Sequence, residues 1–483
     1  MTLRSSLATF VFLVSASAPA LAASATPEGA QRLTAVFQAY LGDVPGVLSV
    51  APAGEAYDVR LDLAPYFAKA PSKDFAASIT PLAMKIAEQG GGKWLVTQDQ
   101  PFSLVIQVPG AFDMTVKVGS YRSSGVFDEA IAAFASSTSD FADVAMDQTT
   151  TMPGSGPSRS ALAVKSIHME TAMSAAASGV DGTTRMEMTG IAQTVGVPAG
   201  PGGATPPMDI SVTMAKMSQD ATVKGLQVKP VMGLLAWFVA HPSPEAIMAG
   251  GAEIKSLLRA GLPLFDSMSA TGTADTIAAG TPFGPVGIAK ASFGLSLSGI
   301  IKDGLFGENV SVSGLTLPPG LVPPWAAKLV PTEFNLGFNV SGYDAAAPAA
   351  LMLDNLDFTA DPPLKPELEA PLMKAFLPNG TVKITLEPGK ISSEILTLGF
   401  EGSMTAGPAA LPAGQATVTA KGLDQVMEAL QAAPPEMGLQ QGVAALIAAK
   451  GMAKQDGNGN SVWKIESTAA GTVTINGIDP SKM

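Results

Sequence analysis

The sequence predicts an α+β fold that is mainly β, in which an elongated, curved antiparallel sheet carries amphipathic helices packed on one face. Apolar and polar residues alternate over 57–63, 114–118 and 208–214. A period of two is typical of strands with one buried and one solvated face. The 50 glycines and 38 prolines favour many turns between these strands. Helices are expected beside the sheet because several segments carry helix-start signals.

Three helices are predicted by a hydroxyl residue that caps the helix and a proline at its first position: Thr26-Pro27, Thr80-Pro81 and Ser243-Pro244. The first is expected to end near Leu41, before Gly42, and the second at the glycines of 90–92. The third predicts an amphipathic helix docked on a core. The apolar run 231–240 predicts a buried helix, and two further helices are expected over 423–431 and 436–454.

A short pattern recurs at the ends of predicted strands. It reads apolar, any residue, apolar, Ser or Thr, then Gly, and it occurs at 186–190, 295–299, 310–314 and 338–342. Glycine at a strand end permits the backbone angles of a turn or bulge. The four copies therefore indicate a repeated strand-turn unit. The stretches 152–158 and 197–207 are rich in Gly and Pro and are predicted to be linkers or surface loops.

The first twenty-two residues predict export from the cytoplasm. Arg4 precedes a short apolar run over 7–14, and Ala20 and Ala22 form an A-x-A site for signal peptidase. Since the run is far shorter than the ~20 residues of a membrane-spanning helix, removal is expected rather than anchoring. We therefore expect a mature chain that begins near Ala23, works in the periplasm and contains no transmembrane helix.

The mature chain is expected to have two strand-rich halves. Residues 23–280 would end in the central helices, and residues 281–483 would contain the two late helices. The boundary is placed near Gly280. A single sheet that runs through both halves fits the pattern equally well.

Composition excludes some partners. The net charge is −12, so nucleic acid is not an expected partner, because phosphate binding requires clustered Lys and Arg. Charged residues make up only 14 %, against roughly 25 % in average soluble domains. Such a chain must bury much of itself or expose apolar surface. It contains no cysteine, which excludes thiol nucleophiles and Cys-type metal sites.

No catalytic motif is found, and we predict a protein without catalytic residues, cofactor or metal. The two histidines, His168 and His241, lie on dissimilar segments without metal-ligand spacing. The segment 294–299 resembles a serine-hydrolase G-x-S-x-G but misses the second glycine by one position. The segment 456–460, Asp-Gly-Asn-Gly-Asn, resembles the first half of a calcium-binding loop, but a polar hairpin turn explains these residues better. Pairs among the 41 acidic residues leave a carboxylate-dependent hydrolase as an open alternative.

Three segments together resemble a known family. They are 119–128 with an alanine-rich helix at 130–134 after it, 329–336 through 340–344, and 418–424 through 471–477. In these patterns of glycine and apolar residues the chain is similar to the exported alphaproteobacterial proteins grouped as domain of unknown function 2125 (DUF2125). The resemblance implies a location in the cell envelope and one long β-rich architecture. It implies no site residue.

Three functions follow as hypotheses. The first is a non-enzymatic, exported envelope protein that binds or passes an apolar ligand such as a lipid, because export, low charge, long alternating strands and 22 methionines occur together. The second is a structural or interaction protein that binds another envelope protein through sheet edges or an apolar patch. The third, and least favoured, is the carboxylate-dependent hydrolase. We expect the first.

Overall fold

The computed structural model describes residues 24–68, 75–151, 156–198 and 207–480. The predicted signal peptide 1–22, with Ala20 and Ala22, and most of both predicted loops lie outside these ranges. The helices are α1 Pro27–Leu41, α2 Ala64–Phe67, α3 Val228–Ala240, α4 Pro244–Ala249, α5 Gly251–Gly261, α6 Ala346–Asn355, α7 Glu369–Phe376, α8 Leu423–Gln431 and α9 Gln440–Met452.

Twenty strands in these ranges form a single antiparallel sheet. They are β1 Leu48–Ala53, β2 Ala56–Leu61, β3 Ala76–Ile79, β4 Leu82–Gly90, β5 Lys93–Val108, β6 Phe112–Asp128, β7 Ala133–Thr150, β8 Ser158–Ala175, β9 Val180–Val197, β10 Met208–Leu226, β11 Ser267–Thr281, β12 Gly284–Ser298, β13 Gly304–Ser313, β14 Glu333–Tyr343, β15 Val382–Ser392, β16 Thr397–Gly407, β17 Ala410–Lys421, β18 Lys454–Gln455, β19 Ser461–Ser467 and β20 Val473–Ile475.

The strand order follows the chain almost without interruption. β1 pairs with β2, β2 with β4 and β4 with β5. Every strand from β5 to β17 then pairs with the next one along the chain, and β17 is followed by β19 and β20. The short strands β3 and β18 pair with β5 and β19. Neighbours in sequence are thus neighbours in the sheet, as hairpin connections favour.

The first predicted helix is confirmed as α1. The Thr26 side chain accepts a hydrogen bond from the Gly29 N–H, and the helix ends at Gly42, where φ is 73°. These are the satisfied start and the glycine stop that the sequence indicates. α1 packs against β1, and its Ala30 joins a buried cluster. The other members are Tyr57, Val59 and Ile86, from β2 and β4.

The predicted fold class is wrong. The structure is 52 % strand and 23 % helix, a single 20-stranded antiparallel sheet with few helices rather than an α+β fold. The helices do not form a layer on one face of the sheet. They contact mainly one another: α3 with α1 and α5, α6 with α5 and α7, and α8 with α9. The prediction gave the helix signals too much weight, because each signal reports a local helix start and not packing on a sheet.

The second predicted helix is also wrong, because residues 82–90 form β4. Leu82, Met84 and Ile86 pair with β2, and Ile86 also pairs with Val96 of β5. Cross-strand pairing on both sides overrides the local helix signal at Thr80. The alanine-rich helix expected at 130–134 is absent as well. Those residues form the turn between β6 and β7 and the start of β7, with Ala132 at φ 53°.

The remaining helix predictions hold with changes. The third helix is divided at Gly250 into α4 and α5. The Trp237 ring occupies the space that a side chain at Gly250 would need. The predicted helix 231–240 is confirmed as α3, but it is not buried: Trp237 alone in it is buried. The late helices are α8, as predicted, and α9, which begins at Gln440 after a short 3₁₀ turn.

The recurring glycine pattern is confirmed at three strand ends and wrong at the fourth. Gly299 and Gly314 directly follow β12 and β13, and Gly342 is the penultimate residue of β14. Gly190, by contrast, lies inside β9. The predicted boundary near Gly280 lies within β11, where Gly280 pairs with Ser211 of β10. The division into two halves stays a prediction, while one sheet runs through both.

Candidate functional site: the apolar face of the sheet

A row of interrupted pairing crosses the long strands at one level. From β6 to β12, one residue of each strand is unpaired with its neighbouring strands, at the same level of the sheet. These residues are Gly119, Asp143, Lys165, Gly190, Ala215, Thr276 and Ala289. We call this set the break row. Its members on alternate strands have left-handed backbones, with φ of 52° at Asp143, 59° at Gly190 and 53° at Thr276. Such angles are rare for residues other than glycine.

The break row reverses which residues face each side. On β6, the apolar residues before the break are Val116 and Val118, and the next aromatic residue is Tyr121. Val118 and Tyr121 are three residues apart, so simple alternation would place their side chains on opposite faces. Phe102 pairs with Val118, yet its ring also contacts Tyr121, with centroids 6.3 Å apart. Both rings therefore lie on the same face. The unpaired break-row residue in each strand shifts the alternation by one position, so the same face of the sheet stays apolar on both sides of the break.

Directly paired residues in antiparallel strands share a face, so the register defines two continuous faces. The apolar face contains, before the break, Phe102, Val118, Val144, Val164, Ile191, Met214, Ile277 and Ile288. After the break it continues through Tyr121, Phe141, Ile167, Met188, Met217, Ala274, Ala291 and Val312. Polar side chains interrupt it in places: the row Gln98, Ser123 and Ser139, the pair Gln148 and Ser160, and Gln193 and Gln219.

The apolar face is half-buried over most of its length. The side chains beside the break row are deeply buried, with Val118 and Val164 at 4 % and Ile191 at 5 % exposure. Met188, Met217 and most of their neighbours are partly exposed, and Phe293 is 37 % exposed. A second layer of structure would bury such a face fully. In the described part of the chain, no helix packs against the strands β5–β17 as extensively as α1 packs against β1.

Helices cover the apolar face only near its two ends. At one end α1 packs over Tyr57, Val59 and Ile86, with Trp94 of β5 partly buried against the same cluster. At the other end Trp463 of β19 donates its indole N–H to the Ala449 carbonyl of α9 at 2.7 Å. Trp463 pairs with Val418 and lies on the apolar face. The face is therefore bounded by helices and open between them.

The opposite face is a ladder of charges, which we call the polar face. Its ion pairs join neighbouring strands: Arg122–Asp99, His168–Asp140, Arg185–Asp220 and Lys216–Glu187. His168 lies between two carboxylates, with Nδ1 2.7 Å from Asp140 and Nε2 3.4 Å from Glu170. The hydrogen bond to Asp140, and next the one to Glu170, raises the pKa of His168 above 6.5. The side chains of these pairs are exposed to solvent. Such pairs make the polar face hydrophilic and are not the arrangement of a catalytic centre.

The two histidines are not brought together. His241 follows α3, where its Nδ1 lies 2.9 Å from the Trp237 carbonyl oxygen and its ring stacks on Trp237 at 4.2 Å. His168 lies on β8 of the sheet. The segment 294–299 runs along β12 and does not enter a helix, as the sequence indicates. Neither histidine has the partners of a nucleophile and base.

The segment 456–460 is a hairpin turn between β18 and β19, as predicted. Asp456 accepts hydrogen bonds from the N–H groups of Asn458 and Asn460, and the Asn460 side chain donates to its second oxygen at 2.7 Å. The bonds from Asn460, first among the causes, lower the pKa of Asp456. In the ranges that the structure describes, no group of three His, Cys, Asp or Glu side chains is arranged to hold a metal ion.

A polar cleft of about 520 Å³ lies on the C-terminal strands, on the polar face. Three glutamates and two lysines line it: Glu387, Glu401, Glu466, Lys383 and Lys464. Asn339 donates to Glu387 at 2.7 Å. Both histidines lie outside the cleft, whose lining contains both carboxylates and ammonium groups. This mixture is typical of a solvated charged sheet and assigns no acid and base pair.

No described helix combines the length and the apolar character that crossing a lipid bilayer requires. No protein family and no curated protein matches the chain, so the resemblance to DUF2125 stays a prediction. Among solved structures, the chain is similar to the siderophore receptor PirA from Acinetobacter baumannii, at 8 % identity and a TM-score of 0.16. The match covers 76 % of this chain and 49 % of that receptor, so this chain spans about half its length. So low a score supports no conclusion about fold or function.

Proposed function

We propose that this protein is a non-enzymatic component of the cell envelope, exported to the periplasm, that holds an apolar ligand such as a lipid on the apolar face. One observation carries the proposal: between α1 and α9 a continuous apolar face has no covering layer in the described chain. Exposed apolar surface of this extent is unfavourable in water and marks binding sites.

The shape and composition of the face favour a flexible hydrocarbon chain. The face is many strands long across the sheet, and the two rows beside the break row hold an apolar side chain on every strand from β6 to β12. Methionines are prominent in it, including Met146, Met169, Met186 and Met188. Methionine adapts to varied apolar shapes because its side chain is unbranched and polarisable. Such a strip accommodates an acyl chain better than a rigid ligand with many polar groups.

The charge distribution supports the same ligand class. Ion pairs are concentrated on the polar face, and the rows of the apolar face nearest the break contain no charged side chain. A ligand on the apolar face would therefore be bound by desolvation rather than by ion pairing. A lipid headgroup would remain in water at the margin of the face.

The test compares two glutamates placed on adjacent strands but opposite faces. Met188→Glu introduces a charge on the apolar face, and Ser218→Glu introduces the same charge on the polar face. Each protein is purified, extracted with organic solvent and examined by mass spectrometry. We expect lipid from the wild type and from Ser218→Glu, and about tenfold less from Met188→Glu, because a charge beside the bound chain would lose its hydration.

Clean extracts from several wild-type preparations would contradict the proposal. Equal lipid from both variants would place the ligand elsewhere. Crosslinking in intact cells distinguishes the alternative, a structural or interaction protein. A discrete crosslinked partner together with lipid-free extracts would favour that second function.

A further inference from the structure

Six uncharged polar side chains lie together within the apolar face, in two adjacent rows on the strands β5–β9. Ser123 pairs with Gln98 on one side and with Ser139 on the other. Ser123 is two residues from Tyr121 on β6, so the two side chains share the apolar face. We call the six residues the amide–hydroxyl cluster: Gln98, Ser123, Ser137, Ser139, Thr171 and Thr184.

Apolar side chains flank the amide–hydroxyl cluster. The row that holds Tyr121 lies between it and the break row. Beyond Ser139 the row of the cluster continues with Met169 and Met186. The Phe134 ring covers the backbone of Gly125, where an added Cβ would lie 2.8 Å from a ring carbon. The polar groups are thus set among aromatic and methionine side chains.

One donor of the cluster has no partner. The Gln98 Nε2 is buried and makes no hydrogen bond with any residue that the structure describes. Val96, on the same face two residues away, packs against the buried cluster under α1, so Gln98 lies where the helix cover ends. Leaving a buried N–H unpaired is unfavourable and rare in native proteins. The Gln98 amide can therefore bind an acceptor that a ligand supplies.

The surroundings favour an uncharged acceptor. From β5 to β9, the two rows of the cluster and the row that holds Tyr121 contain no charged side chain. The nearby ion pair Arg122–Asp99 lies on the polar face. A carboxylate or phosphate in the cluster would have no cationic partner in these rows, and an unpaired buried charge is costly. A carbonyl oxygen accepts hydrogen bonds from amides and hydroxyls without carrying a charge.

We propose that the Gln98 amide binds the carbonyl oxygen of an uncharged acyl ester, with the hydroxyls of Ser123 and Ser139 beside it. The inference rests on the proposed function and names its ligand class, a neutral acyl ester rather than a free fatty acid. The last torsion of a glutamine side chain is soft, so the amide turns toward the ligand without movement of β5. The acyl chain lies across Met169 and Met186, the latter four strands from Gln98 at about 4.8 Å per strand.

The test is equilibrium binding of radiolabelled dioleoylglycerol and of oleate to the purified, delipidated full chain. Gln98→Met removes the donor and keeps the side-chain length. Gln107→Met makes the same change on the same strand, at an exposed position of the polar face. We expect the wild type and Gln107→Met to bind dioleoylglycerol equally, and Gln98→Met about tenfold more weakly, because the ester carbonyl then lacks a donor. Oleate binding should be the same in all three proteins.

Stability of the lipid-free proteins separates a binding role of Gln98 from a structural one. Since the Gln98 Nε2 has no partner in the described chain, Gln98→Met should leave the free energy of unfolding unchanged or raise it. Destabilisation by Gln98→Met would show that the amide stabilises the fold, and it would overturn the proposal. Infrared spectra of dioleoylglycerol labelled with ¹³C at the carbonyl give a direct readout. The band should lie at lower frequency in the wild type than in Gln98→Met, and equal frequencies would also overturn it.

Failure of this inference and failure of the proposed function are distinguishable. Lipid in wild-type extracts, together with undiminished dioleoylglycerol binding by Gln98→Met, would overturn the inference alone. The same holds if the wild type yields lipid but binds no dioleoylglycerol, or if Gln98→Met weakens oleate binding equally. Clean extracts and no binding of either probe by the wild type would overturn both.

Discussion

The rings of Tyr121 and Phe141 stack on the apolar face, with centroids 4.5 Å apart and planes 14° from parallel. The two residues are directly paired across β6 and β7, just past the break row. The stack shows that the apolar face resumes after the interruption with side chains in direct contact. Alternation alone would have turned Tyr121 toward the polar face.

The Tyr121–Phe141 stack is expected to couple the two residues energetically. In a double-mutant cycle of Tyr121→Ala and Phe141→Ala, the coupling free energy of unfolding should be about 0.5–1.5 kcal/mol. Urea denaturation of the four proteins measures it. Phe141→Ala combined with Phe400→Ala, on the distant β16, should be additive. Additive behaviour of Tyr121 with Phe141 would show that the stack contributes nothing.

His168 is expected to titrate above its ordinary value. The Asp140 hydrogen bond, followed by that to Glu170, raises the pKa of His168 above 6.5. Because the folded-state pKa is raised, the associated stability is present below 6.5 and is lost as the pH rises through the folded-state pKa. NMR titration of the His168 ring measures the midpoint. Asp140→Asn should lower it more than Glu170→Gln, and the reverse order would contradict this geometry.

Gly190 is expected to tolerate no side chain. Its φ is 59°, and an added Cβ would lie 2.9 Å from the Lys165 Cβ on the paired strand. Gly190→Ala should therefore lower the free energy of unfolding by about 1–3 kcal/mol. Gly457→Ala is the matched control, since its added Cβ meets no atom within 4 Å. Equal stability of the two variants would mean that position 190 accommodates a side chain without strain, as the break row does at Asp143 and Thr276.

Gly29 is expected to be required for the packing of α1. A Cβ at Gly29 would overlap the Tyr57 hydroxyl, which also accepts the Thr26 N–H. Gly29→Ala should destabilise the protein by about 1–3 kcal/mol through overpacking. Gly233→Ala, in open space on α3, should raise stability by up to about 1 kcal/mol from helix propensity. Hydrogen exchange should show faster exchange of α1 amides in Gly29→Ala and no change in Gly233→Ala.

The strands could be located from the sequence where the alternation is uninterrupted. The segments 57–63, 114–118 and 208–214 overlap β2, β6 and β10. The helix α1 could also be located, because the Thr26 cap, Pro27 at its first position and Gly42 after its last residue all indicate the same helix. Thr80-Pro81 carries a similar signal and fails, because β2 and β5 pair with the segment from both sides. Long-range pairing is not visible in a local window.

The continuity of the apolar face could be predicted only in part. The step from Val118 to Tyr121 is an odd interval and records the reversal of phase in the sequence itself. The left-handed backbones of Asp143 and Thr276 carry no such signal, because neither residue is glycine. Alternation also shows that an apolar face exists without showing what covers it. The open length between α1 and α9 follows only from the helix contacts.

The proposal that the apolar face holds a lipid is tested most directly by photocrosslinking in cells. The photoreactive residue benzoylphenylalanine is placed at position 188 or at position 187, which are adjacent on β9 and face opposite sides of the sheet. We predict lipid adducts at position 188, detected by mass spectrometry of the purified protein, and none at position 187. Adducts at neither position, or equal adducts at both, would contradict the account.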